Sequence, residues 1–125
     1  MNYDKLEKIV TESFEKKEQV GPKSNKKLVK AINETIDLVD SGKIRVANKQ
    51  NGIWVVNQWI KKAILLSFRI NKMEMMKGPY TTWYDKVPGK TVKWKEKDWK
   101  KAGYRHVPNG VVRSCLLYTS DAADE

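Results

Sequence analysis

"DSGKIRVANKQNGIWVVNQWIKKAILLSFRIN", residues 40–71, changes its hydrophobic period twice within 32 residues. It begins with a helix stop, because Gly42 suits the left-handed position just past a helix end. "KIRVA" then alternates Ile44 and Val46 with Lys43 and Arg45, and "IWVV" follows after "NKQNG". Asn51-Gly52 between two β-branched runs predicts a hairpin, since both turn residues tolerate positive φ. From Asn57 the period is helical again. Trp59, Ile60, Ala63, Ile64, Leu65, Leu66 and Phe68 cover more than half of a helix circumference. A helix that apolar is expected at the centre of the fold, buried on several sides, with Trp59 and Phe68 in the core.

Upstream, "DKLEKIVTESFEKKEQV" places Leu6, Ile9, Val10 and Phe14 on one helical face with charges elsewhere. Gly21-Pro22 breaks that helix. Ser24 or Asn25 caps a second one, whose stripe is Leu28, Ala31, Ile32, Ile36 and Val39. Two amphipathic helices across a short break predict an antiparallel pair. Downstream, Gly78-Pro79 and Pro88-Gly89 punctuate a looser region, and the methionines Met73, Met75 and Met76 read as adaptable packing. "WKEKDWKKAGY" predicts a short helix ending at Gly103, and "YRHVPNGVVR" extended chain turning at Pro108-Asn109-Gly110. The class these residues specify is α+β, mainly α: a helical domain with a β-hairpin.

A chain of 125 residues with 40% hydrophobic residues and five Trp has the length of one domain and the composition of a folded one. The longest apolar run is "AILL", far short of the roughly 20 residues that span a bilayer. The N-terminus lacks the apolar core of a signal peptide, and one Cys offers neither a disulfide framework nor, with the single His106, a metal cluster. A cytoplasmic setting without membrane or metal partners is the expectation. The net charge of +10, with Trp83, Tyr84, Trp94, Trp99 and Tyr104 among many lysines, carries one alternative, a free-standing basic nucleic-acid-binding module. No zinc-finger spacing, aromatic-rich strand signature or Gly-Xaa-Xaa-Gly clamp accompanies it.

No nucleophile elbow, phosphate loop or metal-ligand pair is present. Asp37, Asp40, Glu96 and Asp98 read as solvated helix faces. Arg105 and Arg113 each lie in an apolar, loop-like context, where a guanidinium suits bidentate capture of a carboxylate.

The 40–71 block, followed by "YDKVP", "GYRHVP" and "VVR", closely resembles the N-terminal region of the bacterial tetrahydrodipicolinate N-succinyltransferase family. The order and spacing match across residues 1–113. The resemblance implies an acyltransferase of lysine and diaminopimelate biosynthesis. It moves succinyl from succinyl-CoA to the amine of the opened 2,3,4,5-tetrahydropyridine-2,6-dicarboxylate substrate. It also implies a homotrimer, with an α-rich N-terminal domain leading into a left-handed β-helix of hexapeptide repeats and active sites between subunits. The family's "GFR"-type motif supplies an Arg to the substrate's carboxylates, and Arg105 occupies that position. His106 falls where relatives commonly carry an apolar residue and receives no role. Nucleic acid is not a partner of such an enzyme. The acid/base carboxylate and the succinyl-CoA surface belong to the repeats, so residues 1–113 are expected to hold no catalytic residue, bound cofactor or metal, and to be inactive alone.

After Arg113 the repeats are expected, and the chain instead reads "SCLLYTSDAADE", with Asp121, Asp124 and Glu125 and no base. From Cys115 to Asp124 this stretch matches the translation of the transposase end and adaptor used in sequencing libraries. Residues 114–125 are therefore expected to be a non-native tail, and residues 1–113 the native N-terminal domain.

Overall fold

The computed structural model describes residues 2–114, so the expectations for residues 115–125 lie outside the described residues. The chain forms two compact units, Met1–Lys86 and one that begins at Val87.

In the first unit, α1 (Asp4–Glu15), α2 (Lys26–Asp40) and α3 (Gln58–Ile70) pack on one another. The first helix ends earlier than its charge pattern implies, and Lys17–Gln19 tighten into a 3₁₀ turn before the break. Asn25 is the cap of α2: its Oδ1 accepts from the Lys27 N–H at 2.7 Å, satisfying a donor that has no partner within the helix. At the other end Gly42 takes φ 78°, the Gly42 N–H donates to Val39 O at 3.0 Å, and the Lys43 N–H donates to Leu38 O at 3.0 Å. That pair of bonds closes a Schellman motif and explains the glycine.

The core is built from Val10, Val20, Ile32, Ala63, Leu66 and Ile70, with Phe14, Leu28, Val29, Ile36 and Trp59 packed against it. Two polar residues are also buried, Thr35 and Ser67. Each hydroxyl donates to a carbonyl of its own helix, Thr35 to Ala31 at 2.8 Å and Ser67 to Ile64 at 2.6 Å, so neither leaves an unmet donor. α3 packs on both α1 and α2, as each of those does on the other two, so the core is shared by all three helices and α3 is not singled out as the central one. Its burial is narrower than its composition implies: Leu65 is exposed, and Trp59 and Phe68 are half-buried.

The hairpin forms, with a different first strand. Strand β1 is Ala47–Gln50 and β2 is Ile53–Val56, antiparallel, pairing Gln50 with Ile53 and Ala47 with Val56. Asn51 and Gly52, at φ 52° and 80°, make the two-residue type I′ turn. A two-residue turn dictates that the residues immediately before it enter the ladder. "ANKQ" therefore pairs, and the alternation of "KIRVA" does not decide the strand. Asn57 closes the ribbon: its N–H donates to Val46 O at 2.7 Å, and its Nδ2 donates to Arg45 O at 2.7 Å and Asn48 Oδ1 at 2.9 Å.

A second hairpin replaces the loose region expected after Met73. Strands β3 (Glu74–Lys77) and β4 (Thr82–Asp85) pair antiparallel, with Met75 opposite Tyr84 and Met76 opposite Trp83. The Trp83 ring crosses so close to Gly78 that a Cβ there would lie 2.5 Å from it. Met75 is 62% exposed and does not fill the core as expected, because the hairpin holds it in a cross-strand pair instead. Past β4, Lys86 Nζ donates to Phe68 O at 2.9 Å, supplying a cation to a carbonyl in the last turn of α3.

Candidate functional site

Arg105 and Arg113, the candidate carboxylate ligands, fall in the second unit. Among its described residues the regular element is α4 (Glu96–Ala102), the short helix expected from the sequence. Asp98, read from sequence as part of a solvated face, instead accepts from the Lys95 N–H at 2.8 Å and closes the first turn. Gly103, at φ 75°, ends the helix and donates its N–H to Trp99 O at 3.0 Å.

Around α4 three rings meet edge to face. Centroids are 4.8 Å apart for Trp94–Trp99, 5.7 Å for Trp99–Tyr104 and 6.4 Å for Trp94–Tyr104. The spacing and tilts suit the aromatic quadrupole, and the rings pack against one another as a small substitute core. Trp94 and Trp99 are half-buried in this cluster, so the base-stacking role that their spacing among lysines allowed is not what they are arranged for.

Arg105 lies on the segment leaving this cluster and is exposed. The next residue, His106, is half-buried, its ring 5.4 Å from that of Trp99 and tilted by 36°. Beyond it the chain turns as expected at Pro108-Asn109: Asn109 has φ 78° and the Gly110 N–H donates to Val107 O at 2.9 Å. Proline second and a positive-φ residue third make this a type II turn. Residues 112–114 then pair with 88–90: the Lys90 N–H donates to Val112 O at 2.8 Å and the Ser114 N–H to Pro88 O at 3.0 Å. Arg113 sits in the bridge to Gly89 and is half-buried, whereas Arg105 faces solvent. Of the two guanidiniums, Arg105 is the more exposed. A planar fork on a braced segment can take a carboxylate through two parallel hydrogen bonds.

His106 and Gly110 are the residues sequence reasoning passed over. The rings of Tyr104 and His106, two residues apart, both lie against Trp99.

A family model described as "Tetrahydrodipicolinate N-succinyltransferase N-terminal" matches residues 5–70. Among curated relatives, the 2,3,4,5-tetrahydropyridine-2,6-dicarboxylate N-succinyltransferase of Pelagibacter ubique is 50% identical over 111 residues, covering 86% of this chain and 40% of that protein. The enzyme of the same name from Agrobacterium fabrum is 48% identical over 111 residues, with 86% and 39% covered. That from Rhizobium leguminosarum bv. trifolii is 45% identical over 120 residues, with 94% and 42% covered. The chain thus spans about 40% of the length of the relatives it matches. Neither the family description nor these names point to nucleic acid.

Proposed function

This chain belongs to the tetrahydrodipicolinate N-succinyltransferase N-terminal family, and from that premise we propose that it is the N-terminal part of an enzyme that succinylates tetrahydrodipicolinate. The observation that carries the reading is the 50% identity, over 86% of the chain, to a relative bearing that enzyme's name. The full-length protein takes succinyl from succinyl-CoA and passes it to the amine of the opened dicarboxylate, a step of lysine and diaminopimelate biosynthesis. It works in the cytoplasm as a homotrimer.

Attack of an amine on a thioester carbonyl requires a base for the amine proton and donors for the developing oxyanion. The part assigned to this chain is earlier in the reaction. Arg105 holds a carboxylate of the acceptor, fixing the substrate so that its amine meets the thioester in one orientation. Its exposure and its place in the "GYR" motif support that role.

The test is made on the full-length gene product, following release of free CoA from succinyl-CoA as the dicarboxylate is varied. Release that depends on the dicarboxylate is expected, and its absence refutes the assignment. Arg105→Ala should raise the KM for the dicarboxylate on the order of 30-fold or more, since a charge-assisted bidentate pair is lost. Arg105→Lys should recover only part of it, because an ammonium keeps the charge without the fork. The KM for succinyl-CoA should hold constant in both.

A further inference from the structure

Arg105 stands between two residues whose rings share one support. Tyr104 and His106 both lie against Trp99, with centroids at 5.7 and 5.4 Å. Arg105, the residue between them, is exposed.

The His106 ring is closed in by Gly110 as well. A Cβ at that glycine would lie 2.9 Å from His106 Cδ2, 3.0 Å from Nε2 and 3.0 Å from Val107 O. Any side chain at residue 110 would therefore displace the ring. The Nε2 atom is buried here without a hydrogen-bond partner. Enclosing a ring nitrogen in that way is unfavourable in itself. The ring is held by its faces and edges, through packing on Trp99 and beside Gly110, and not by a polar bond.

We propose that His106, clamped between Trp99 and Gly110, is the positioning residue for Arg105. It pins the segment carrying Arg105 to Trp99 in the middle of α4 on one side and to the Val107–Gly110 turn on the other. The benefit to substrate capture rests on the reading of Arg105 given above, whereas the positioning itself does not. Because the clamp works through ring shape, a flat apolar ring should replace the imidazole, and loss of the ring or intrusion of a Cβ should not be tolerated.

Three variants test this: His106→Ala, Gly110→Ala and His106→Phe. In the 125-residue chain, the heteronuclear NOE of the Arg105 backbone amide and the shift of the Trp99 indole N–H are measured by NMR. His106→Ala and Gly110→Ala should lower the Arg105 NOE and move the Trp99 signal, leaving amides at the centre of α4 as they were. His106→Phe should restore the NOE. In the full-length enzyme the first two variants should raise the dicarboxylate KM about tenfold with kcat unchanged, as displacement of a binding group does.

An Arg105 NOE untouched by both His106→Ala and Gly110→Ala overturns the proposal, as does an equal loss of order throughout α4, which is general unfolding. Failure of His106→Phe to restore the NOE overturns the ring-shape argument and the clamp with it. If the NOE behaves as expected but Arg105→Ala leaves the dicarboxylate KM unchanged, the substrate role of Arg105 falls and the positioning stands.

Discussion

Leu65 and Leu66 are adjacent on α3 and identical in chemistry, yet Leu66 is fully buried and Leu65 is 45% exposed. One helical step of about 100° separates a side chain facing α1 and α2 from one facing solvent. Leu66→Ala should therefore cost about 3 kcal/mol, combining lost transfer free energy with the cavity left in a packed core. Leu65→Ala should cost less than about 1 kcal/mol, having little apolar area to lose. Urea midpoints of the two variants measure this, and equal midpoints would contradict the burial assigned to Leu66. At the candidate site the same scale separates what was legible from what was not. Arg105 was singled out by its motif, and it is exposed. The place of His106 was invisible, because it depends on Trp99, which comes seven residues earlier and on the far side of a helix end, and on a glycine in the following turn.

Among the elements, α2 is the one whose limits the sequence states most fully. Asn25 caps its start and Gly42 closes its end, both through short-range hydrogen bonds. Asn25→Ala should cost about 1 kcal/mol. For a domain of this size that lowers the thermal midpoint by about 4–8 °C, read by circular dichroism. Asn25→Ser should recover most of the loss, since a hydroxyl accepts the same N–H; no recovery would mean the side chain acts elsewhere. The strands were less legible, for two separate reasons. In β1–β2 the turn was evident, but the alternation of "KIRVA" competed with it, and the two-residue turn geometry determined the pairing. In β3 nothing local announces a strand, because Glu, Met and Lys in "EMMK" are all good helix formers. Pairing with the aromatic strand "TWYD" overrides that preference.

Across the whole molecule, stability is unevenly placed. Every buried residue among those described lies at or before Ile70, in the first unit. The second unit relies on a ring cluster, a seven-residue helix and one isolated bridge. Helices that short are marginal without tertiary support. Native-state hydrogen exchange should therefore run at least on the order of 100-fold faster at the amides of α4 than at those in the middle of α3. Comparable protection in the two helices would show that the ring cluster stabilises far more than its exposure implies.

At this scale the division between sequence and structure is also clearest. Sequence alone determined the helical periods, the closing glycine of α2, the Asn51-Gly52 turn, the end of α4 at Gly103, a turn at Pro108-Asn109-Gly110 and the family; the choice of Asn25 over Ser24 as the cap came from the structure. Each of these is written in residues a few positions apart, or, for the family, in one long block whose order does not depend on conformation. Only the tertiary structure decided which of two neighbouring leucines is buried, which four residues form β1, that "EMMK" is a strand at all, and that His106 rests between Trp99 and Gly110. Those outcomes depend on what lies opposite in space. Burial and strand pairing are interactions between segments that the local pattern of neither partner specifies.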